Sequence, residues 1–165
     1  MGLSKKIQFC FMITCFFENN RKEFLRHVAA GAMVIKDEKI LLVKRAPFLL
    51  ADPGKYCLPG GYLNHEEIIS QAVIREVKEE TGYEARIISL FRINDNPERD
   101  RGNVDFIYLV KPIKKIAKHD EEVTEVKWFE LSNLPDPKQF AFDHWENIQL
   151  YLKWKKEKFK LPIFG

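Results

Sequence analysis

The sequence has little of what marks a secreted, a membrane-bound or a nucleic-acid-binding protein. Its three cysteines, Cys10, Cys15 and Cys57, are too few for a disulfide framework, which favours a reducing compartment and a cytoplasmic protein. An apolar run at residues 7–17 is shorter than the roughly 20 residues that cross a bilayer, and it lacks a small-residue cleavage site. The net charge of +3 is too small to indicate nucleic-acid binding. Neither a membrane nor a nucleic acid is therefore expected as a partner.

A chain of 165 residues is one domain by length, and it is long enough to bury a substantial core. No internal repeat or low-complexity segment divides it. We predict a domain at residues 28–165 and, before it, an apolar extension at residues 1–27. The extension is expected to form a strand or a hairpin that packs on the domain or on a second copy of the chain, which leaves a homodimer open.

The pattern of apolar residues and turn signals sharpens after Arg26 and predicts an alternation of strands and helices. A turn at residues 37–38 joins the first two strands, and a polar loop at residues 94–102 lies between two later ones. Strands are predicted at residues 28–35, 39–44, 85–93, 104–110 and 123–129, and a final helix at residues 142–158. Mixed strands with one helix in mid-chain and one at the end are typical of an α/β sandwich.

The mid-chain helix carries acidic residues on the side that should face the core. Its apolar stripe is formed by Ile69, Ala72, Val73 and Val77. Glu76 and Glu80 fall within that stripe, and Glu79 lies at its edge. A run of charges is more often a solvated helix face, but a carboxylate that faces a core costs several kcal/mol unless it is compensated. A divalent cation, which takes oxygen ligands, would compensate these carboxylates.

The flanks of this helix carry start and stop signals. Asn64 can cap the first turn, with Glu67 reaching back as in a capping box. Gly82 suits the left-handed position after the last turn. Before the cap, Gly60 and Gly61 follow a proline, so that bare backbone can approach a ligand beside a helix N-terminus that favours anionic groups. The glycine loop and the inward carboxylates together indicate a ligand site.

Residues 61–83 resemble the Nudix box, G-x5-E-x7-R-E-U-x-E-E-x-G-U, in which U is a bulky apolar residue. Gly61, Glu67 and the run REVKEETGY at residues 75–83 fill every fixed position at the required spacing. The one departure is Tyr83, where the family usually has an aliphatic residue. A looser resemblance extends over residues 28–152. It implies an α/β/α sandwich with a mixed β-sheet, and an enzyme that hydrolyses the pyrophosphate bond of a nucleoside diphosphate linked to another moiety.

The resemblance also implies a metal cofactor, Mg²⁺, with Mn²⁺ as the alternative. Glu76 and Glu80 would bind the metal directly, and Glu79 would bind it directly or through a water molecule. The carbonyl of Gly60 would be a further ligand. Hydrolysis of a pyrophosphate needs charge neutralised on two phosphates and an activated water molecule, and carboxylate-bound Mg²⁺ can supply both.

Other residues would support the metal ligands or hold the substrate. By resemblance, Glu67 and Arg75 would form an ion pair within the helix that orients the carboxylates. Arg45, at the end of the second strand, and Gly61 would lie against the substrate phosphates. His65, expected in the first turn of the helix, could donate a hydrogen bond there, whereas His27, His119 and His144 are interpreted as surface or capping groups.

The base that activates water is expected outside the Nudix box, on a loop across the site. Glu122 is the preferred candidate over Glu121, because Asp120-Glu121-Glu122 precedes the strand that ends in Trp128-Phe129. A solvated acidic turn is the alternative interpretation of this run. Should neither glutamate act as the base, Glu79 becomes the candidate.

The substrate is indicated by two segments outside the box. Residues 94–102, with Arg99 and Arg101 as substrate contacts, resemble the S-D-P-x-R-D-P-R-G loop of ADP-ribose pyrophosphatases, although the second proline is missing. Residues 140–144 resemble an A-F-D-H segment of those enzymes, but Asp143 could equally cap the last helix with Phe142 packed beneath it. ADP-ribose or a similar ADP-sugar is therefore the preferred nucleotide substrate. The alternatives are a housekeeping pyrophosphohydrolase of normal or oxidised nucleoside triphosphates and, third, a non-catalytic nucleotide-sensing module.

Overall fold

Ten β-strands and two α-helices form the described part of the chain, which is residues 12–98 and 102–165 of a computed structural model. In chain order the elements are β1 (Met12–Phe16), β2 (Lys22–Arg26), β3 (Val28–Lys36), β4 (Lys39–Arg45), β5 (Tyr56–Cys57), β6 (Gly60–Tyr62), α1 (Ile69–Thr81), β7 (Tyr83–Asn94), β8 (Val104–Lys115), β9 (Val123–Glu130), a 3-10 turn (Pro137–Gln139), α2 (His144–Glu157) and β10 (Ile163–Phe164). All five predicted strands are present. The strands β5, β6 and β10 were not predicted, because two or three residues are too few to show a periodicity.

Eight of the described strands pair in one mixed sheet. Its main order is β10-β7-β8-β3-β4-β5, with β6 paired to β3 and β9 paired to β4. The pairs β3·β8 and β10·β7 are parallel, and the others are antiparallel. Because β6 occupies the edge of β3 beside Ala30 and Gly31, it places Gly60 and Gly61 in the sheet immediately before α1.

The sheet lies between the two helices, because alternate residues of its central strands point to opposite faces. The core under α1 is formed by Ala30, Ala32, Val34, Leu41, Ala72, Val73, Val77 and Val110. The core under α2 includes Met33, Ile40, Leu42, Leu58, Phe91, Ile107, Ile148 and Tyr151. Ala32 and Val34 of β3 thus face one helix, and Met33 between them faces the other. The predicted α/β/α sandwich with a mixed sheet is confirmed.

The first helix begins later than the sequence pattern predicted. The expected cap at Asn64 is wrong, because α1 starts at Ile69. The side chain of Glu67 does accept a hydrogen bond from the amide of Asn64, at 2.8 Å, but this contact closes a turn before the helix. At the start of the helix itself, Oε1 of Gln71 accepts a hydrogen bond from the amide of Ile68 at 3.0 Å. At the other end Gly82 has a φ of 72° and donates its N–H to Lys78, as a glycine after the last turn should.

The second helix, α2, is also shorter than predicted and is not capped by the side chain of Asp143. Asp143 precedes the helix, but its Oδ2 accepts a hydrogen bond from Nδ2 of Asn94 at 2.8 Å. The buried Asn94 is the last residue of β7. This contact ties the start of α2 to the edge of the sheet at which β8 begins.

The N-terminal hairpin, formed by β1 and β2, pairs only with itself within the described residues. Phe16 and Phe24 are 71% and 57% exposed, so the hairpin presents aromatic side chains on its surface. Residues 1–11, which include the first part of the predicted apolar extension, lie outside the described residues. None of the helices in the described ranges has the length and apolar character that crossing a membrane requires.

Candidate active site

A pocket of about 470 Å³ opens between β3, β6, α1 and the start of α2, and we call it the acidic pocket. Its walls carry seven carboxylates and two guanidinium groups. The carboxylates belong to Glu76, Glu79, Glu80, Asp105, Asp120, Glu122 and Asp143, and the guanidinium groups to Arg45 and Arg75. Such an excess of negative charge repels an anionic ligand, unless cations enter with that ligand.

The carboxylates of α1 point into the pocket, as the helical wheel predicted. Glu80 is only 7% exposed, and its Oε2 accepts a hydrogen bond from the amide of Gly60 at 2.9 Å. Burial raises the pKa of Glu80 well above its usual range, and the nearby charges of Glu76 and Asp120 raise it further. Burial also raises the pKa of Glu76, against the opposing hydrogen bond from Arg75. These hydrogen bonds therefore compensate the charged forms of Glu76 and Glu80 only in part.

Arg75 holds three of the acidic side chains. It donates two hydrogen bonds to Glu67, from Nε at 3.0 Å and from Nη2 at 2.6 Å. Its Nη1 donates to Glu76 at 2.7 Å and to Glu79 at 2.9 Å. The hydrogen bonds to Glu67 are the main reason why the pKa of Arg75 is raised. The predicted ion pair of Arg75 and Glu67 is present, but it joins a loop to α1 and does not lie within the helix, because Glu67 precedes the first turn.

The two glycines of β6 are required by close packing. A Cβ atom on Gly61 would overlap the carboxylate of Glu76, and one on Gly60 would overlap the main chain of Ala30. Any larger residue at position 61 must therefore displace the Glu76 side chain. The glycine loop thus brings bare main chain against the acidic face of α1, as the sequence indicated.

A divalent metal fits the chemistry of these residues, although their side chains are not arranged around one point. Among the residues of the described ranges, no three acidic, histidine or cysteine side chains converge on a common centre. Glu76 and Glu79 turn towards Arg75, and Glu80 turns towards the amide of Gly60. The donors are nevertheless hard oxygen atoms, and Glu80 is buried beside further carboxylates. This is the donor set that Mg²⁺ and Mn²⁺ prefer.

Arg45, the last residue of β4, lines the pocket as well. Its Nε donates to the carbonyl of Ala51 at 2.8 Å, and its guanidinium group lies 5.0 Å from the centre of the Phe142 ring. Asp52 fixes this wall by accepting the amide of Phe142 at 3.1 Å and pairing with Lys55 at 2.6 Å. Burial raises the pKa of Asp52, but these two hydrogen bonds and the nearby charges of Lys55 and Arg45 together outweigh it and leave the pKa below its usual value. Arg45 thus enters the pocket as a cationic group that is held by contacts with Ala51 and Phe142.

The acidic turn before β9 contributes two carboxylates to the pocket. Glu122 lines it, and so does Asp120, which the sequence reasoning passed over. The amide of Asp120 donates to the carbonyl of Glu79 at 2.9 Å, and the amide of Glu122 donates to Oδ1 of Asp120 at 3.1 Å. Glu121 is not among the lining residues. The run of three acids was the sequence signal, but only the turn geometry decides which side chains enter the pocket.

The remaining wall contains residues that the sequence reasoning did not assign to the site. Asn103 and Asp105 at the start of β8 line it, together with Asp143 and His144 at the start of α2. The interpretation of His144 as a surface or capping group is wrong: its Nδ1 lies 2.9 Å from the amide of Leu58. That nitrogen must accept the N–H, so in the neutral ring the proton resides on Nε2. The A-F-D-H segment was the available signal.

Two sequence-based assignments fall elsewhere. His65 lies before α1, not in its first turn, and it borders a separate cavity under the hairpin. His65 is therefore not among the residues that line the acidic pocket. The predicted substrate contacts Arg99 and Arg101 lie outside the described residues.

Known proteins share both the sequence pattern and the fold. The family model of the NUDIX domain matches residues 25–151. The chain is 39% identical over 132 residues to an ADP-ribose pyrophosphatase of Methanocaldococcus jannaschii, over 78% of this chain and 74% of that protein. The fold is similar to that of an ADP-ribose pyrophosphatase from Streptococcus suis, with a TM-score of 0.70 at 22% identity over 86% of this chain and 100% of that one. A NUDIX hydrolase from Nitrosomonas europaea gives a TM-score of 0.71 at 21% identity, over 93% and 91% of the two chains.

These similarities define the class of the protein: the chain belongs to the NUDIX family. It is a Nudix pyrophosphohydrolase, as the complete Nudix box predicted. Enzymes of this family generally use divalent metal ions, which agrees with the carboxylates that α1 directs into the pocket.

Proposed function

We propose that the enzyme hydrolyses the pyrophosphate bond of ADP-ribose or of a similar ADP-sugar with Mg²⁺ as its cofactor. One observation carries the proposal: Glu80 is buried and Glu76 is half-buried on α1, beside the glycine strand, in a pocket dominated by carboxylates. A pyrophosphate ester is itself an anion, so it enters such a pocket only when cations neutralise both partners. The volume of the pocket is in the range of small-molecule sites.

The proposed metal ligands are Glu76, Glu79 and Glu80 with the carbonyl of Gly60. When bound there, Mg²⁺ would neutralise the phosphate charges and increase the acidity of a water molecule. Glu67 takes no ligand role in this proposal, because its carboxylate is fully engaged by Arg75 and Asn64.

The protein side chains perform the remaining tasks. Arg75 restricts the orientations of the Glu76 and Glu79 carboxylates, since it donates a hydrogen bond to each. Arg45, which contacts Ala51 and Phe142, would bind a substrate phosphate together with the main chain at Gly61, since both line the pocket. These contacts would orient the pyrophosphate for attack by water, which is the main contribution that a protein makes to phosphoryl transfer.

A carboxylate outside the box accepts the proton of the attacking water in this proposal. Glu122 remains the first candidate and Asp120 joins it, because both line the pocket and Glu121 does not. The oxygen of water then forms a bond to one phosphorus atom, and the bond from that phosphorus to the bridging oxygen breaks. ADP-ribose would give AMP and ribose 5-phosphate, with the bridging oxygen leaving on one of the two phosphates.

The preference for an ADP-sugar is supported by the relative from Methanocaldococcus jannaschii, which is an ADP-ribose pyrophosphatase. The test is incubation of the enzyme with Mg²⁺ and a panel of ADP-ribose, other ADP-sugars and nucleoside triphosphates, with identification of the products. AMP and ribose 5-phosphate support the proposal. If only nucleoside triphosphates are hydrolysed, to a nucleoside monophosphate and pyrophosphate, the enzyme is a housekeeping pyrophosphohydrolase and the proposal fails. Binding of nucleotides without turnover would indicate a sensing module.

A further inference from the structure

Arg26, the last residue of the hairpin strand β2, reaches across to the connection between β7 and β8. Its Nη2 donates to the carbonyl of Asp95 at 2.6 Å and to the carbonyl of Asn103 at 3.0 Å. Its Nε donates to the carbonyl of Gly102. One guanidinium group thus binds three main-chain carbonyls, 69 to 77 residues further along the chain, at both ends of the connection.

One of the three residues whose carbonyls Arg26 binds, Asn103, belongs to the wall of the acidic pocket. Asn103 is only 3% exposed and lines the pocket, and its Nδ2 donates to Oδ1 of Asp105, which lines the pocket as well. The amide of Val104 donates to the carbonyl of His27, the residue after Arg26, at 3.0 Å. Two consecutive residues at the end of the hairpin, Arg26 and His27, are therefore hydrogen-bonded to two consecutive residues at the start of β8, Asn103 and Val104.

The geometry of this contact suits arginine. Hydrogen bonds from a charged donor are stronger than those between neutral groups, and the planar guanidinium fork serves several acceptors in fixed directions. A lysine offers three donors on one flexible point charge, so it cannot reproduce the same spread of acceptors. By contrast, Arg21 of the same hairpin turn is exposed and pairs with Glu23 within the hairpin.

We infer that Arg26 is a positioning residue, which holds the pocket wall formed by Asn103 and Asp105 and thereby sets the affinity for the substrate without touching it. The N-terminal hairpin is then a part of the binding apparatus and not merely an attachment. This inference rests on the proposed function only where it concerns substrate affinity. The position of the wall itself can be measured without a substrate.

The kinetic test compares Arg26→Ala with Arg26→Lys and with the control Arg21→Ala, using ADP-ribose and saturating Mg²⁺. We expect KM to rise about tenfold in Arg26→Ala, which corresponds to about 1.4 kcal/mol of binding free energy, with kcat within about twofold of the wild type. Arg26→Lys should lie between, and Arg21→Ala should match the wild type. An unchanged KM in Arg26→Ala, or an equal loss in Arg21→Ala, would overturn the inference.

Hydrogen exchange provides the test that needs no substrate. In Arg26→Ala the amides of residues 102–107 should exchange about tenfold faster, while those of α1 and the thermal shift on adding Mg²⁺ stay as in the wild type. Arg21→Ala should leave residues 102–107 unchanged. Unchanged exchange in Arg26→Ala would refute the positioning role. If the wild type fails to hydrolyse ADP-ribose, the proposed function fails, and the exchange measurement still decides the role of Arg26.

Discussion

Replacement of Glu80 by glutamine should abolish the response of the protein to Mg²⁺ while leaving the metal-free fold at least as stable. Glutamine keeps the volume of the side chain and an oxygen that can accept the amide of Gly60, at 2.9 Å in the wild type. It removes a charge that lies buried beside Glu76 and Asp120. Like charges in a buried site repel each other, so their removal relieves the metal-free protein and deprives the metal of a ligand.

The pH dependence of this effect has a definite sign. Burial raises the pKa of Glu80 in the folded protein well above its ordinary value of 4.5. The contribution of Glu80 to the stability of the metal-free wild type is therefore fully present below that value, and it is lost as the pH rises through the folded-state pKa. The glutamine variant has no such loss, so its advantage in melting temperature without metal should widen as the pH rises.

The size of the Mg²⁺ effect follows from mass action. A ligand that binds only the folded state stabilises it by about 2.7 kcal/mol at a hundred times its Kd. For a chain of 165 residues, 1 kcal/mol shifts the melting temperature by about 2–4 °C. The wild type should therefore melt about 5–11 °C higher in Mg²⁺ than in EDTA.

The assay is thermal melting in EDTA and in a series of Mg²⁺ concentrations. The matched control is Glu157→Gln, which makes the same substitution at an exposed glutamate near the end of α2. The control should keep the full shift, and Glu80→Gln should show none. A full Mg²⁺ shift in Glu80→Gln would refute the reasoning, because the cation would then bind without the buried carboxylate.

Three further changes test other parts of the site. Gly61→Ala should lower kcat at least about tenfold, because its Cβ would displace the carboxylate of Glu76, and steady-state rates with ADP-ribose measure this. Glu122→Gln should remove the acidic limb of the pH–rate profile while the Mg²⁺-induced thermal shift persists, as expected for a base that is not a metal ligand. Asp52→Asn should lower the free energy of unfolding by about 1 kcal/mol at neutral pH, as measured by urea denaturation. Since the pKa of Asp52 is below its ordinary 3.8 in the folded protein, this difference should shrink as the pH falls through that region.

Each of these expectations has an outcome that opposes it. A Gly61→Ala enzyme with the wild-type rate would show that Glu76 need not occupy its observed place. The neighbouring Glu121→Gln is the control for Glu122→Gln. If both variants keep the pH–rate profile of the wild type, the role of the base moves to Asp120 or Glu79. An Asp52→Asn protein as stable as the wild type at neutral pH would show that its two hydrogen bonds do not hold the wall at Phe142.

The α1 part of the site was predictable from sequence because it depends on local geometry alone. A period of 3.6 residues places Glu76 and Glu80 on the same side as Val73 and Val77 whatever the rest of the chain does. The first turn was less predictable. Asn64 and Glu67 have the spacing of a capping box and make its contact, but this contact closes a turn that precedes the helix, and the spacing alone does not distinguish the two cases.

The other walls of the pocket depend on strand order, which a sequence pattern does not determine. Asp105 reaches the site because β8 lies parallel to β3, with Asp105 opposite Ala29. His144 reaches it because the start of α2 contacts Leu58, 86 residues earlier. Such contacts form between distant parts of the chain, so Asp105 does not stand out in the sequence beyond its type, and only the A-F-D-H segment marks His144.

Release of AMP and ribose 5-phosphate from ADP-ribose in Mg²⁺ is the most direct test of the central claim, followed over time for the wild type, Glu76→Gln, Glu80→Gln and Glu157→Gln. We predict equal amounts of the two products from the wild type and from Glu157→Gln. Both α1 variants should be at least about a hundredfold slower with their fold intact, because each removes a ligand charge from the transition state. A rate near that of the wild type in Glu76→Gln or Glu80→Gln, at saturating Mg²⁺, would contradict the claim that these two carboxylates hold the catalytic metal.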